Sequence, residues 1–346
     1  MRSRALEGPA IFFVPGRLEV FGKHTDYAGG RSLVAALSKG LTFVVEKTVD
    51  GQVIVESGGG YARSVIDRLT RNFPGAELSA RIAFTSSLPA AAGMSSSSAL
   101  IVGVAEALVM CAGLEDRPEW RHNIHSIEDR AAYYACIENG AAFGTLAGDA
   151  GVGTHGGSED HAAILGGRAG HLTQFSFSPL RRDRDIAMPH GWTFAIATTG
   201  VEARKSEEAR EAFNRLADPA RMTGARREHF LAEDARVPLA ADAFARADAR
   251  AIRELAAESQ ADAERLLGNQ VPQTRALVDF AREHGAIAAS GFGAGWGGSV
   301  WALVETEQAA RFVARWLGAY RRVHPQLMTE AFVSAPAEGL RRVVTE

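Results

Sequence analysis

Residues Ser86–Leu100, SSLPAAAGMSSSSAL, lead a loop of small side chains straight into an apolar helical pattern. That pattern starts near Ser96 and continues through Leu100, Val104, Ala107 and Leu108 to Gly113. Gly93 lets a ligand approach the backbone closely, and Ser95–Ser98 set hydroxyls and free amides at the helix N-terminus. Unpaired amides and the helix dipole together attract anions. A serine-rich cap is the plainer reading, but four consecutive serines exceed what one N-cap uses. The stretch therefore predicts a phosphate-binding loop at Gly93, Met94, Ser95, Ser96, Ser97 and Ser98, with a hydroxyl able to reach a phosphate-bound magnesium ion.

Outward from this loop, the N-terminal third reads as strands at 11–14, 17–21, 41–47, 53–56 and 81–85. A second helix is expected over 128–138, a strand over 172–177 and another over 192–198. Three or four helical segments follow between about 206 and 284, then strand 299–305, helix 308–320 and strand 330–334. Strands mixed with helices, with glycine loops opening helices, indicate α+β or α/β with ligand sites in loops. A chain of 346 residues suits two domains. The polar, proline-marked stretch Ser178–Gly191 predicts the division between them, giving domains 1–185 and 186–346.

With 46% hydrophobic residues and a net charge of −3, the composition is globular and offers no general field for nucleic acid or anionic membrane. Cys111 and Cys136 lack metal-ligand spacing and read as buried thiols of a reducing cytoplasm. No apolar run spans a bilayer and the first residues lack a signal-peptide core, so a cytoplasmic protein is expected.

Three further places carry chemistry. GRLEVFGKHTDYAGG, Gly16–Gly30, contains GKHT but is no P-loop: the position five before Gly22 is Arg17, and Lys23 is followed by His24. What remains is a strand running into a polar turn, where His24 and Asp26 suit the hydroxyls of a polyol, or where Asp26 merely caps backbone amides. Gly156–His161, GGSEDH, reads either as a helix cap or as a base aimed into a cleft. SGFGAGWGGSVWALV, Ser290–Val304, spends five glycines before an apolar strand, which suggests a backbone packed on another loop or on a ligand.

In this order the motifs resemble the galactokinase branch of the GHMP small-molecule kinases. GRLEVFGKHTDYAGG is similar to GRVNLIGEHTDYNGG of that branch, PAAAGMSSSSAL to PLGAGLSSSAAL, and GAGWGGS to GAGFGGC. Thr198–Leu216 and Arg227–Phe244 also resemble galactokinase segments, so the likeness runs from about residue 15 to 304. It implies an α+β, two-lobed fold, with an N-terminal domain of ribosomal-S5-like type and a C-terminal ferredoxin-like one. It implies ATP and Mg2+ as cofactors and a sugar as substrate. By the resemblance, Asp160 takes the proton of the anomeric hydroxyl and Arg17 stabilises charge beside it. Lys23, His24, Asp26 and Gly157 bind sugar, while Ser96 and Glu138 hold magnesium. A small-molecule sugar partner is expected, with no nucleic acid or membrane, in a monomer or small homo-oligomer.

The departures fall on the sugar side. Lys23 stands where the branch has glutamate, Ala91 replaces the first glycine of the second motif, and Phe213 stands in the place of a sugar-contacting tyrosine. The glycine-rich loop between Glu138 and Asp160 is longer than the family's. In the resemblance the Lys23 slot faces the C6 end of the sugar, which predicts an anionic acceptor such as a uronic acid or a heptose phosphate; the plainer reading is that the long stem of Lys23 carries its charge out of the cleft to water. A non-catalytic sugar sensor is the alternative from another class.

Overall fold

Two β-sheets, each backed by helices, organise the computed structural model, which describes residues 8–201 and 207–343. In chain order the elements are β1 (Ala10–Phe21), β2 (Arg31–Lys47), β3 (Val53–Val55), α1 (Gly59–Asn72), β4 (Ala80–Ser86), α2 (Ser96–Ala112), α3 (Pro118–Asn123) and α4 (Ile127–Asn139). Then follow α5 (Glu159–Gly166), β5 (His171–Phe177), β6 (Leu180–Ala187), β7 (Trp192–Thr198), α6 (Glu207–Ala217), α7 (Gly224–Ala245) and α8 (Ala249–Asp262). The chain closes with α9 (Pro272–Glu283), β8 (Ala288–Phe292), β9 (Ser299–Glu305), α10 (Ala309–Val323), β10 (Ala331–Ser334) and β11 (Arg341–Arg342).

The first sheet has the order β11-β1-β2-β4-β3, and β5 and β6 extend it from the near end of β2. The second has the order β10-β7-β9-β8. β1 and β2 pair antiparallel along nearly their whole length, from Ala10↔Val45 to Phe21↔Leu33. The register shifts between Pro15 and Arg17 and again between Glu19 and Phe21. Such irregularities bend a strand and re-aim its side chains. Here they bracket Arg17 and Glu19, which share one face because they lie two residues apart. α2 is buried almost all round, from Ser98 to Cys111, in keeping with its lack of a polar face.

Several expectations change. Residues 178–191 are not a loop between domains: β6 occupies most of them and pairs with β5. Its alternating arginines and aspartates resemble a solvated linker, but Thr173 and Ser176 of β5 donate to Asp185 and Asp183 at 2.9 and 2.5 Å. Charged side chains are tolerated at a sheet margin. The cut at 185/186 thus falls inside β6, and the passage between the sheets is residues 188–191. The end of the chain also leaves the second sheet, because β11 returns to pair with β1. The strands expected at 11–14 and 17–21 are one strand, β1, and α1, absent from the expected elements, opens on Gly59 and Gly60 with Gly58 as its N-cap. Cys111 is buried as expected, whereas Cys136 is half-buried; both are free thiols. Of the family-like segment 198–216, residues 202–206 lie outside the described residues, as does Ser206, the expected start of the helical series. Among the described residues, no helix is long and apolar enough to cross a membrane.

Candidate active site

The three motifs converge on one cleft of about 370 Å³. Arg17 on β1 is its hub. The guanidinium is buried and donates from Nε to Asp160 Oδ1 at 2.6 Å and from Nη1 to the Gly93 carbonyl at 2.7 Å. It therefore ties the glycine loop before α2 to the first turn of α5. Burial opposes its charge, but Asp160, Glu159 and Glu19 outweigh that and hold the proton more firmly than usual. Burial likewise pushes the Asp160 carboxyl up, but Arg17 overcomes it and leaves the pKa below the ordinary value. Asp160 also sits in the first turn of α5, where the helix dipole favours a carboxylate. It is thus an ionised, half-buried carboxylate at the cleft.

The glycine loop is held from behind. Ser299 at the start of β9 donates to the Ala92 carbonyl at 2.7 Å, and a side chain at Gly293 would come within 2.9 Å of the Gly93 carbonyl. This accounts for the glycines of the third motif: their backbone packs on the second. Gly93 has φ +69° and faces open space apart from Gly298, so the loop leaves a cradle above it. Ser95, Ser96 and Ser97 line the cleft, and the buried Ser95 hydroxyl lies beside Asp160, whose charged form it favours. Met94 lines it too and is buried at 2% exposure. Three serines at a helix N-terminus, over an open glycine, fit the phosphates of a nucleotide. Ala91 adopts φ +48°, a left-handed backbone that its methyl group strains.

Ser98 departs from its expected place. It is 1% exposed and lies behind the cleft lining. Its hydroxyl donates to Glu138 Oε2 at 2.8 Å and lies 3.3 Å from Asp160 Oδ2. The methyl of the family's alanine is thus replaced by a link between Glu138 and Asp160. Glu138 and Ser96 both line the cleft and offer the hard oxygens that magnesium takes. No group of three or more potential metal-holding acids, cysteines or histidines exists among the described residues.

On the other side, Asp26 Oδ2 accepts from the Glu159 amide at 3.3 Å, and a side chain at Gly157 would come within 2.3 Å of that same oxygen. Gly157 therefore permits the close approach of two chain segments. Burial and the Asp160 charge raise the Asp26 carboxyl to about 6. His24, Tyr27 and Phe213 form an aromatic wall with ring centroids 5.9 Å apart, all three lining the cleft. The His24 nitrogens are occupied: Nδ1 meets the Tyr27 hydroxyl at 2.7 Å, and Nε2 meets the Ala294 carbonyl and the Asn269 amide, each at 3.1 Å. Burial, with Arg226 nearby, pulls its pKa down to about 3, so the ring is neutral.

Lys23 corrects the expectation that it reads the sugar. Its side chain turns away from the cleft and is 1% exposed. Nζ donates to Ser259 Oγ at 2.6 Å, and Ser259 donates to Glu233 Oε1 at 2.9 Å. Glu233 Oε1 also accepts the Gly22 amide at 3.0 Å and the Lys23 amide at 3.3 Å, while His229 Nε2 meets the Lys23 carbonyl at 2.9 Å. The lysine pins the turn after β1 onto α7 and α8. The basis for an anionic acceptor goes with it.

Sequence reasoning passed over Glu19. It lies two residues beyond Arg17 on β1, so strand periodicity alone would have directed it to the cleft it now lines. Glu159 and His161, in the stretch singled out around Asp160, also line it.

Models of the GHMP kinase N-terminal domain and the GHMP kinase C-terminal domain match residues 60–146 and 240–321, and the galactokinase galactose-binding signature matches residues 4–47. The chain belongs to the GHMP kinases. Among the curated proteins it is similar to are galactokinases. The galactokinase of Halalkalibacterium halodurans is 30% identical over 129 residues, covering 30% of this chain and 32% of that one. That of Clostridium acetobutylicum is 29% identical over 115 residues, covering 27% and 30%. The matched stretch spans about a third of these relatives' length. In fold, the chain resembles Lactococcus lactis galactokinase complexed with galactose, with a TM-score of 0.79 at 19% identity over 97% of this chain and 96% of that one. Methanococcus jannaschii mevalonate kinase gives a TM-score of 0.65 at 16% identity over 98% and 100%.

Proposed function

We propose that this chain is an ATP-dependent sugar kinase of galactokinase type, phosphorylating a monosaccharide at its anomeric hydroxyl. The observation that carries the reading is the 2.6 Å pair of Arg17 and Asp160, set between the glycine cradle and the polar turn. Phosphoryl transfer asks a protein mainly for positioning and charge compensation. Gly93–Ser97 and the N-terminus of α2 hold the phosphates. Asp26 and the wall of His24, Tyr27 and Phe213 hold the sugar with its reacting hydroxyl toward Asp160. That hydroxyl's oxygen bonds to the γ-phosphorus as the bond to the β–γ bridging oxygen breaks and ADP leaves. Asp160 receives the proton; being ionised and paired, it is ready to accept it. Arg17 offsets the negative charge gathered beside it. Magnesium bound to the nucleotide, with Glu138 and Ser96 as ligands, would neutralise phosphate charge.

The acceptor is not an anion on this reading. Glu19, Asp26, Glu159 and Asp160 line the sugar side with Arg17, and Lys23 is turned away. The test is ADP release across galactose, arabinose, aminated hexoses, galacturonate and glucuronate, with the product's phosphorus position read by NMR. Turnover yielding a 1-phosphate is expected. Absence of ADP release with every sugar, or phosphate at another carbon, would overturn the proposal.

A further inference from the structure

Glu19 and Glu159 have no role in the transfer just described, yet both carboxyl groups are buried at the cleft, 4% exposed each. The two groups lie side by side, so the Glu19 charge adds to burial in raising the Glu159 carboxyl. Their surroundings supply too few donors. Arg17 spends its short contacts on Asp160 and Gly93 and stays 3.7 Å from Glu159 Oε1. Ser32 donates to Glu159 Oε2 at 2.5 Å. Glu19 Oε1 has no hydrogen-bond partner among the described residues. Burial raises the Glu19 carboxyl to about 7 and the Glu159 carboxyl well above the ordinary value. A buried acceptor without a donor is costly, so one that faces a ligand cleft invites the ligand to supply the donor.

We propose that Glu19 and Glu159 form an ammonium-accepting subsite and that the preferred acceptor sugar is an aminodeoxy monosaccharide, an assignment that rests on the sugar-kinase reading above. A hydroxyl would satisfy one lone pair and leave the two carboxyl groups holding a proton, the state that burial favours near neutral pH. An ammonium group brings three donors and a positive charge, and hydrogen bonds between charged partners are about twice as strong as neutral ones. A carboxylate on the sugar would add a further negative charge to Glu19, Asp26, Glu159 and Asp160.

The test pairs binding with turnover. Galactosamine, glucosamine and 6-amino-6-deoxygalactose are titrated calorimetrically into the full chain beside galactose, glucose and N-acetylgalactosamine, and ADP release is measured with each. At least one amine should bind about tenfold tighter than its parent sugar, and acetylation should abolish the gain. Glu19→Gln and Glu159→Gln should each cut the amine-to-hydroxyl ratio by about tenfold. Parent sugars binding as well as every amine, or a ratio that survives both substitutions, would overturn the subsite; the wild-type titrations decide this even if a variant fails to fold. Tight amine binding without ADP release from any sugar would remove the kinase reading and keep the subsite. Turnover of neutral sugars without an amine advantage would do the reverse.

Discussion

Replacing Lys23 by methionine separates a structural lysine from a sugar-reading one. Methionine keeps most of the buried stem and removes the ammonium group, so the loss is chiefly polar. The 2.6 Å bond to Ser259 disappears, and hydrogen bonds to charged groups contribute about 1.5–3 kcal/mol. Breaking a buried ion pair outright costs about 3–5 kcal/mol because a charge is stranded. Here Glu233 keeps the Gly22 amide at 3.0 Å, the Ser259 hydroxyl at 2.9 Å and Arg236 at 3.1 Å, so it is not stranded. Burial already depresses the Lys23 pKa, so its removal also relieves a desolvation cost. The net expectation is a loss of about 2 kcal/mol. With a urea slope of about 3 kcal/mol/M, the midpoint should fall by about 0.7 M at unchanged slope. The ratio of kcat/KM for galacturonate over galactose should stay within about twofold, since Lys23 makes its bond to Ser259 and is not among the residues lining the cleft. An unchanged midpoint together with a tenfold shift in that ratio would refute the reasoning and restore Lys23 to the sugar.

Three further outcomes are expected. Asp160→Asn should lower kcat by roughly 10²–10⁴ with ATP affinity near that of the wild type; retention of more than about half of kcat would remove Asp160 as the base. Glu19 and Asp26 have folded pKa values of about 7 and about 6, above their unfolded values, so their contribution is full at low pH and is lost as pH rises through those values. His24 and His161, lowered to about 3 and about 4, act oppositely below about pH 6.5. The stability difference between wild type and Glu19→Gln isolates the carboxyl: it should move in favour of the wild type as pH falls from 8 to 5, and a flat difference would refute the assignment. Ala91→Gly should leave stability level or raise it by about 0.5 kcal/mol, because relief of about 1–2 kcal/mol of left-handed strain outweighs the added chain entropy; a loss above about 1 kcal/mol in denaturation would show that the methyl packs usefully.

The sequence by itself determined what depends on near neighbours. The serine-rich entry to α2 and the placing of Asp160 just after a glycine pair are local, because helix starts and glycine loops are specified within a few residues. The ordered motifs also carried the family and hence the fold. What tertiary structure alone decided is which way side chains turn and what stands behind them. Lys23 immediately precedes His24, which lines the cleft, yet its partner Ser259 is 236 positions away and no local pattern points to it. Glu19 was legible only once β1 was known as one strand with Arg17 on its cleft face, a consequence of pairing with β2. β6 hid behind alternating arginine and aspartate, because its burial comes from the strand beside it and not from its own hydrophobicity. The meeting of Arg17, Gly93 and Asp160 joins segments 76 and 143 residues apart. Such juxtapositions follow from sheet register and the packing of α2 and α5 on it, which a linear pattern of residues does not encode.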